Sequence, residues 1–506
     1  MSRTPEQAYS ELIRRTREAS VLASCGSVLN WDEATYMPRQ GSAYRGEQVG
    51  LLARLGHEMT TSPVVGELLA EVEGSSLVSD PESDVAVNVR EIRRGYDRAV
   101  KVPAALVEEL ARVSTRAQQV WRDARKASSF ALFRPELTTL VRLLRDKADA
   151  IGYTASRYDA LLDEYEPGAT AAEITAVFAA LQKELVPLIA AIHASGKQPD
   201  RKVLQREFAV DLQKMFAASA AAAIGFDFEA GRLDVSAHPF CSGIGPGDCR
   251  LTTRYNVHRF NEAFFGVLHE AGHGIYEQGL PAEHAGTPRG SFCSLGIHES
   301  QSRLWENQVG RGRPFWEHFF PRARQTFPAA LHDVAFDTWM FAINDVQPSF
   351  IRVEADEATY NLHIILRFEL EQAILADQLP VADVPAAWNE RFERMFGLKV
   401  ENDAQGCLQD IHWSLGGLGY FPTYTLGNLY AAQLMEAARR DLAGIDDDFR
   451  RGDFGRLKGW LNAHVHAAGQ RWRAGELCRR VTGRPLEPAP LLRYLRDKYA
   501  PFYGLS

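Results

Sequence analysis

Two histidines four residues apart, with a glutamate beside the first, are the residues of this chain best placed to do chemistry: His269-Glu270-Ala271-Gly272-His273. On an α-helix that spacing puts both imidazoles on one face, one turn apart, so a single divalent ion can touch both. Glu270 can then reach a metal-bound water without ligating the metal. A catalytic zinc needs three protein ligands and an open position for water. The extended pattern with a third histidine six residues on is excluded, because Tyr276 and Gly279 stand where its glycine and histidine would be. The alternative is a carboxylate from a later helix, and IHESQSRLWEN supplies Glu299, with His298 and His284 as competitors. Taken alone, Glu299 is more often just an acid placed in a first turn by the helix dipole. Two imidazoles, a carboxylate and no thiolate favour zinc, although cobalt or manganese suits the same set. Zinc lowers the pKa of bound water to about 7 and polarises a carbonyl, while Glu270 takes a proton and returns it to the leaving amine. The reaction class is metal-assisted hydrolysis of an amide. The opposing reading is a buried helix with two hydrogen-bonded histidines.

The elements that would position these residues are mostly helical. NEAFFGVLHEAGHGIYEQG has Asn261 as a cap, Phe264, Phe265, Leu268 and Ile275 as an apolar stripe, and Gly279 as its end. From Pro5 to about Arg232 apolar residues recur three and four apart, as in Ala172 to Ala194, where Ile174, Val177, Phe178, Leu181, Leu185 and Ile189 share a stripe and Pro187 predicts a kink. Between about Gly231 and His298 the runs LDVSAHPF, DCRLTTRY and GSFCSLGI predict a small antiparallel sheet beside the next helix. Helical periodicity then persists to the end, interrupted by GGLGYFPTYTLGN, whose glycines read as a loop. The fold class is mainly α with a minor sheet, and no Ser/Gly-rich linker divides residues 1–506, so one domain is expected.

Composition removes other classes. With 57 Lys plus Arg against 65 Asp plus Glu, a net charge of -8 and no polybasic run, nucleic acid is not an expected partner. The six cysteines (Cys25, Cys241, Cys249, Cys293, Cys407, Cys478) form no CxxC pair and offer no zinc site, which fits a reduced thiol set. The opening MSRTPEQAYSELIRRTREAS lacks the apolar core of a secretory signal, and no apolar run is taken to reach the ~20 residues of a membrane span. A soluble cytoplasmic protein with no membrane partner is the expectation.

Further motifs extend the reading. Beside HEAGH stand His238-Pro239-Phe240, Asp248-Cys249-Arg250-Leu251-Thr252, His298-Glu299-Ser300-Gln301, Ile351-Arg352-Val353-Glu354-Ala355-Asp356, and Gly406-Cys407-Leu408-Gln409-Asp410-Ile411-His412-Trp413. In order and type they match HPF, DxRxT, HEXXH, HES/GQ, IRxxAD and GxxQDxHW, and over nearly its full length the chain resembles the carboxypeptidase Taq family of zinc metallocarboxypeptidases. The resemblance implies an enzyme that removes C-terminal residues one at a time, with broad side-chain preference and no action on a terminal proline. It implies a single two-lobed catalytic domain with a neurolysin-like helical fold, the small sheet lying beside a deep groove, and a homodimer. By the same resemblance His269, His273 and Glu299 match the zinc ligands and Glu270 the general base.

An exopeptidase must hold the free terminal carboxylate, a task suited to an arginine fork. The resemblance assigns it to Arg352, whose bland alternative is an ion pair with Glu354 or Asp356. Arg250 is a candidate for closing the narrow end of the groove, and His238 for orienting a substrate amide or capping the turn before Pro239. Donors to the oxyanion are sought among His412, Tyr420 and Tyr424, with Asp410 expected to hold the His412 tautomer. Tyr158-to-Gly168 reads as a helix ending at Pro167, and His464 and His466 as surface or capping residues. Two rivals remain: a zinc oligopeptidase or dipeptidase with the same centre, and an inactive scaffold that keeps zinc for stability. A structural zinc site is more often closed by four protein ligands.

Overall fold

The computed structural model describes residues 3–505, and its contacts divide the chain into two compact units that interleave along the sequence. The first comprises residues up to Val100, Asp200–Ile343 and Leu434–Gly483; the second comprises Lys101–Pro199, Asn344–Gln433 and the segment from Arg484 onward. Neither is a continuous stretch, which is why no linker marks a boundary in the sequence.

The first unit is built around the helix Phe260–Gly279, which carries the HEAGH motif. Its first two turns point Phe260 and Phe264 into an aromatic core with Phe216, Trp316, Phe327 and Trp339, at centroid separations of 5.2 to 5.9 Å. Each buried ring contributes roughly 2 kcal/mol, so the motif helix is anchored from its N-terminal end. That end differs from the expected one: Arg259 is the cap residue and makes no side-chain hydrogen bond, and Asn261 lies inside the first turn. Burial of Phe260 at the first helical position moves the start one residue ahead of the residue best suited to cap it.

The sheet has three strands, β1 (Gly231–Val235), β2 (Cys241–Gly245) and β3 (Asp248–Thr253), in the order β1-β3-β2. It is mixed rather than antiparallel, since β1 runs parallel to β3 with Leu233 opposite Leu251, and only β2 and β3 are antiparallel. The chain leaves β1, makes the edge strand β2, and returns down the middle. The expected third strand over 290–297 is absent because the Ser294 hydroxyl accepts the Ile297 amide at 3.1 Å and caps the helix Leu295–Arg303. The glycine-bearing CSGIG takes its place, a run whose punctuation hides a strand. At Gly231 a Cβ would lie 2.5 Å from the Cys249 carbonyl oxygen, so only glycine fits beside β3 there.

In the second unit the paired helices Ala104–Ala127 and Phe130–Ile151, the buried helix Tyr360–Leu375 and the helix Ala171–Ala194 form the core. Ala171–Ala194 starts at a Thr170/Glu173 capping box and buries Ile174, Phe178, Leu181, Leu185 and Ile189, with Pro187 inside it. It is also long and apolar enough to cross a membrane by length and composition, contrary to the expectation that no run is; 33% of its apolar window is buried, and the helix packs on Ala489–Tyr503.

Candidate active site

Two helices cross at backbone distance to bring together three residues that could hold a metal ion. A Cβ on Gly272 would lie 2.6 Å from the Gln301 carbonyl oxygen and 2.7 Å from the Ser302 Cα, so the glycine within HEAGH is what lets Leu295–Arg303 approach. The approach sets the donor atoms of His269, His273 and Glu299 within 4.8 Å of one another. Glu299 Oε2 stands 3.8 Å from His269 Nε2 and 3.4 Å from His273 Nε2. His284 is elsewhere, paired with Asp84 at 3.4 Å.

The residues around this cluster fix which imidazole nitrogens face it. His269 Nδ1 is 2.9 Å from Glu306 Oε2, so that nitrogen carries the proton and donates, leaving Nε2 free as a ligand. His273 Nδ1 is 2.6 Å from His298 Nδ1, and His298 Nε2 is 2.7 Å from Glu277 Oε1. With His273 Nε2 turned to Glu299, its Nδ1–H donates to His298, whose own Nε2–H donates to Glu277. Both ring nitrogens of His298 are therefore engaged, one by His273 and the other by Glu277. Glu299 is steadied in turn, accepting Arg303 Nε at 2.7 Å on one oxygen and the Ser302 hydroxyl at 3.2 Å on the other. Arg303 and Arg311 also reach Glu306, at 3.3 and 3.4 Å. Glu306 lies in a π-helical turn, Leu304–Val309, a wider coil that shows no mark in the apolar spacing.

The electrostatics follow from burial and these partners. Burial pushes the Glu270 carboxyl up to about 7, the range suited to a base working near neutrality. Burial and the neighbouring His298 push His273 down to about 3, so its imidazole is neutral. Burial works against a charged His269, but Glu299 and Glu306 outweigh it and shift its pKa up. Burial also works against a charged Glu299, yet Arg303 and the two histidines hold its carboxyl well below the usual range. Two imidazole nitrogens, one ionised carboxylate and a near-neutral acid beside them fit a divalent metal ion.

His238 and Arg250, both expected at the substrate, have local occupations. Arg250 donates to Asp248 through Nε and an NH2 nitrogen at 2.8 and 2.7 Å, and lies 4.4 Å from the Trp31 ring centroid. Residues two apart share a face of a strand, so this pairing is built into DCR. The His238 side chain is exposed, while its carbonyl accepts the Ser236 hydroxyl at 2.7 Å. The following Phe240 amide donates to Thr252 Oγ1 at 2.9 Å, which ties HPF to DCRLT. His464 is exposed as expected, but His466 is buried, 2.9 Å from Gln301 and 2.7 Å from Asn462.

The second unit gathers the other four candidates. Arg352 Cζ lies 5.1 Å from the Tyr424 ring centroid, His412 Nε2 is 3.3 Å from the Tyr424 hydroxyl, and the Tyr420 ring is 5.4 Å from both His412 and Tyr424. Tyr424 stands in the first turn of the helix Pro422–Asp441 rather than in a loop, because Pro422 opens that helix. Arg352 is buried and paired, though with neither Glu354 nor Asp356: its Nε and NH2 both donate to Asp410 Oδ1, at 3.0 and 2.8 Å, and its NH1 to the Tyr360 hydroxyl at 2.7 Å. The other oxygen of Asp410 accepts Arg367 Nε at 2.7 Å. Asp410 therefore holds two guanidinium groups and not His412, whose Nδ1 is buried without a hydrogen bond and whose pKa burial pushes down to about 4. Burial works against the Asp410 charge, but the two arginines hold it far below the usual range.

Behind this cluster, Glu371 accepts the Tyr158 hydroxyl at 2.9 Å, Trp413 Nε1 at 2.8 Å and the Gly419 amide at 3.0 Å. These bonds pin the segment carrying His412 and Tyr420. The helix Arg157–Leu162 ends well before Pro167 and exists to present Tyr158 to that carboxylate. Arg303, Glu306, Arg367 and Glu371 lie outside the sequence candidates; of these Arg303 has a signal, four residues beyond Glu299 on the same helical face.

The chain matches the carboxypeptidase Taq (M32) metallopeptidase family over residues 11–499. It is 48% identical to thermostable carboxypeptidase 1 of Thermus thermophilus, over 99% of this chain and 100% of that one, and 37% identical to carboxypeptidase 1 of Bacillus subtilis, over 99% of each. A solved M32 carboxypeptidase from Deinococcus radiodurans superposes with a TM-score of 0.95 at 39% identity, covering 98% of this chain and 99% of that one.

Proposed function

The chain belongs to the carboxypeptidase Taq metallopeptidase family and is a metal-dependent carboxypeptidase, and from that premise we propose a division of labour among its residues. His269 and His273, through Nε2, and Glu299, through Oε2, would hold one zinc ion. The observation that carries this is the convergence of those three donors, each imidazole fixed from behind, on one point. When bound, zinc supplies a Lewis acid and an acidified water. Glu270, beside the ligands and with its carboxyl near 7, accepts a proton from the attacking water and delivers it to the departing amine.

Arg352 receives the terminal carboxylate of the peptide. A guanidinium has five N–H donors, and Asp410 and Tyr360 take three of those on Arg352, so two remain. Two buried arginines against one aspartate leave a positive charge in need of an anion, which supports the assignment. His412, held neutral, can donate a hydrogen bond without adding charge, and with the hydroxyls of Tyr420 and Tyr424 it supplies donors for the developing oxyanion. Arg250 and His238 serve the substrate indirectly, by shaping strand β3 and the HPF segment tied to it. The protein acts on peptides in the cytoplasm as a homodimer.

The test is mass spectrometry of an N-blocked octapeptide, free or amidated at its C-terminus, incubated with the protein with and without a zinc chelator. Single C-terminal losses from the free acid alone, abolished by chelator, are expected. Internal cuts in both peptides would replace this reading with an oligopeptidase.

A further inference from the structure

Six scattered cysteines suggest an inert thiol set, yet the sheet brings two of them into contact. Cys241 opens β2 and Cys249 stands in β3, and their sulfurs are 3.6 Å apart. In the antiparallel register Cys241 lies opposite Leu251 and Cys249 opposite Gly243, so the two are diagonal neighbours on one face of the sheet. A disulfide needs the sulfurs at about 2.05 Å, and β2 is the strand able to supply that movement. It is an edge strand, its pairing with β3 is irregular between Gly243 and Gly245, and its glycines carry no side chains to repack.

What β2 touches gives the movement a consequence. A Cβ on Gly243 would fall 2.5 Å from Glu277 Oε2, so the strand backbone rests directly on that carboxylate. Glu277 holds His298, and His298 holds His273. We propose that Cys241 and Cys249 form a reversible disulfide that draws β2 onto β3, disturbs the Glu277–His298 support of His273, and lowers activity. Its coupling to activity rests on the role assigned to His273 above.

With hydrogen peroxide as oxidant the chemistry balances. The Cys241 sulfur, the less buried of the two, attacks one peroxide oxygen; the O–O bond breaks, giving a sulfenic acid and water. The Cys249 sulfur then attacks the sulfenic sulfur; the S–O bond breaks, and the hydroxide leaves as water with the remaining thiol proton. Two electrons pass from the sulfur pair to one peroxide. The neighbouring Cys249 and burial hold the Cys241 thiol above its usual range, so the first step is slow and is favoured by mildly alkaline solution. Contact between the sulfurs makes the second step fast.

The experiment uses a Cys25→Ser protein, which removes the one exposed thiol, loaded with metal and treated with hydrogen peroxide. After denaturation, alkylation and digestion, mass spectrometry should show a peptide linking Cys241 to Cys249, short of two hydrogens and cleaved by dithiothreitol. Activity on the free-acid peptide should fall about tenfold as the link forms, the cost typical of losing a support to a metal ligand, and return on reduction. Cys241→Ser should abolish both link and peroxide sensitivity; Cys249→Ala serves the same purpose should that variant fold poorly. Separate alkylation of both cysteines after peroxide treatment would overturn the proposal, as would a link formed without loss of activity. Because the link is read by mass, a protein inactive before oxidation would count against the assigned function and not against the disulfide.

Discussion

The metal centre of the first unit and the arginine cluster of the second are both buried sets of charged side chains, but they are prepared for ions of opposite sign. Around His269 and His273 the protein places Glu270, Glu299, Glu306 and Glu277 with two arginines, an excess of carboxylate awaiting a cation. Around Asp410 it places Arg352 and Arg367, an excess of guanidinium awaiting an anion. An unpaired buried charge costs several kcal/mol, and in both places part of that cost is offset by internal counter-charges while one interaction is left for a ligand. The difference lies in how each is built. The metal centre pairs an i, i+4 motif on one helix with residues 25 to 37 positions further on, whereas the arginine cluster joins single residues 43 and 58 positions apart.

The comparison can be broken by removing one group from each side. Glu270→Gln should produce the largest change, retaining metal and losing roughly a thousandfold in kcat, read by steady-state kinetics beside metal analysis. Equal loss of metal and turnover would mean that Glu270 is a ligand or a structural residue.

The next effect concerns stability. Burial raises the Glu371 carboxyl to about 7, against an unfolded value near 4.3. A raised acid pKa means the folded state binds the proton more tightly, so its contribution to stability is complete below the unfolded pKa and is lost as pH rises to the folded one. Between about pH 4 and pH 7 that loss is of the order of 3 kcal/mol. Comparing denaturant unfolding of Glu371→Gln with the native protein across this window should show a flatter pH dependence in the variant; parallel curves would mean that the three donors keep Glu371 ionised throughout.

Arg352→Ala should cost about a hundredfold in kcat/KM on free-acid peptides, the worth of two hydrogen bonds to a charged group, and erase the preference for the free acid over the amide. A variant that still prefers the free acid as strongly as the native protein does would mean that Arg352 supports the fold and is not the anchor. Glu306→Gln is the mildest of these changes, since it loosens His269 without removing a ligand; a roughly tenfold weaker metal affinity is expected by competition with a chelator. Unchanged affinity would show that Arg303 alone organises that side.

The same contrast explains what could be foreseen. His269, Glu270 and His273 are legible because a helix converts a spacing of four into a shared face, and the fold class because apolar periodicity is local. Glu299 needed resemblance, since spacing alone could not separate it from His298 or His284. Glu306 is hidden because the π-turn that carries it leaves no mark in the apolar spacing. Arg367, Asp410 and Glu371 find their partners across long stretches of chain, and nothing in their own neighbourhoods signals it. The sheet was half legible: β1 and β3 have strand-forming residues, while the glycine-bearing β2 reads as a break. Cys241 and Cys249 likewise meet only through strand register.

The most direct test of the central claim is metal content measured together with turnover on the same samples of native protein, Glu270→Gln and Glu299→Ala. One ion per chain in the first two, little or none in the third, and turnover in the native protein alone are predicted. A Glu299→Ala protein that keeps its ion and its activity would contradict the assignment of the centre.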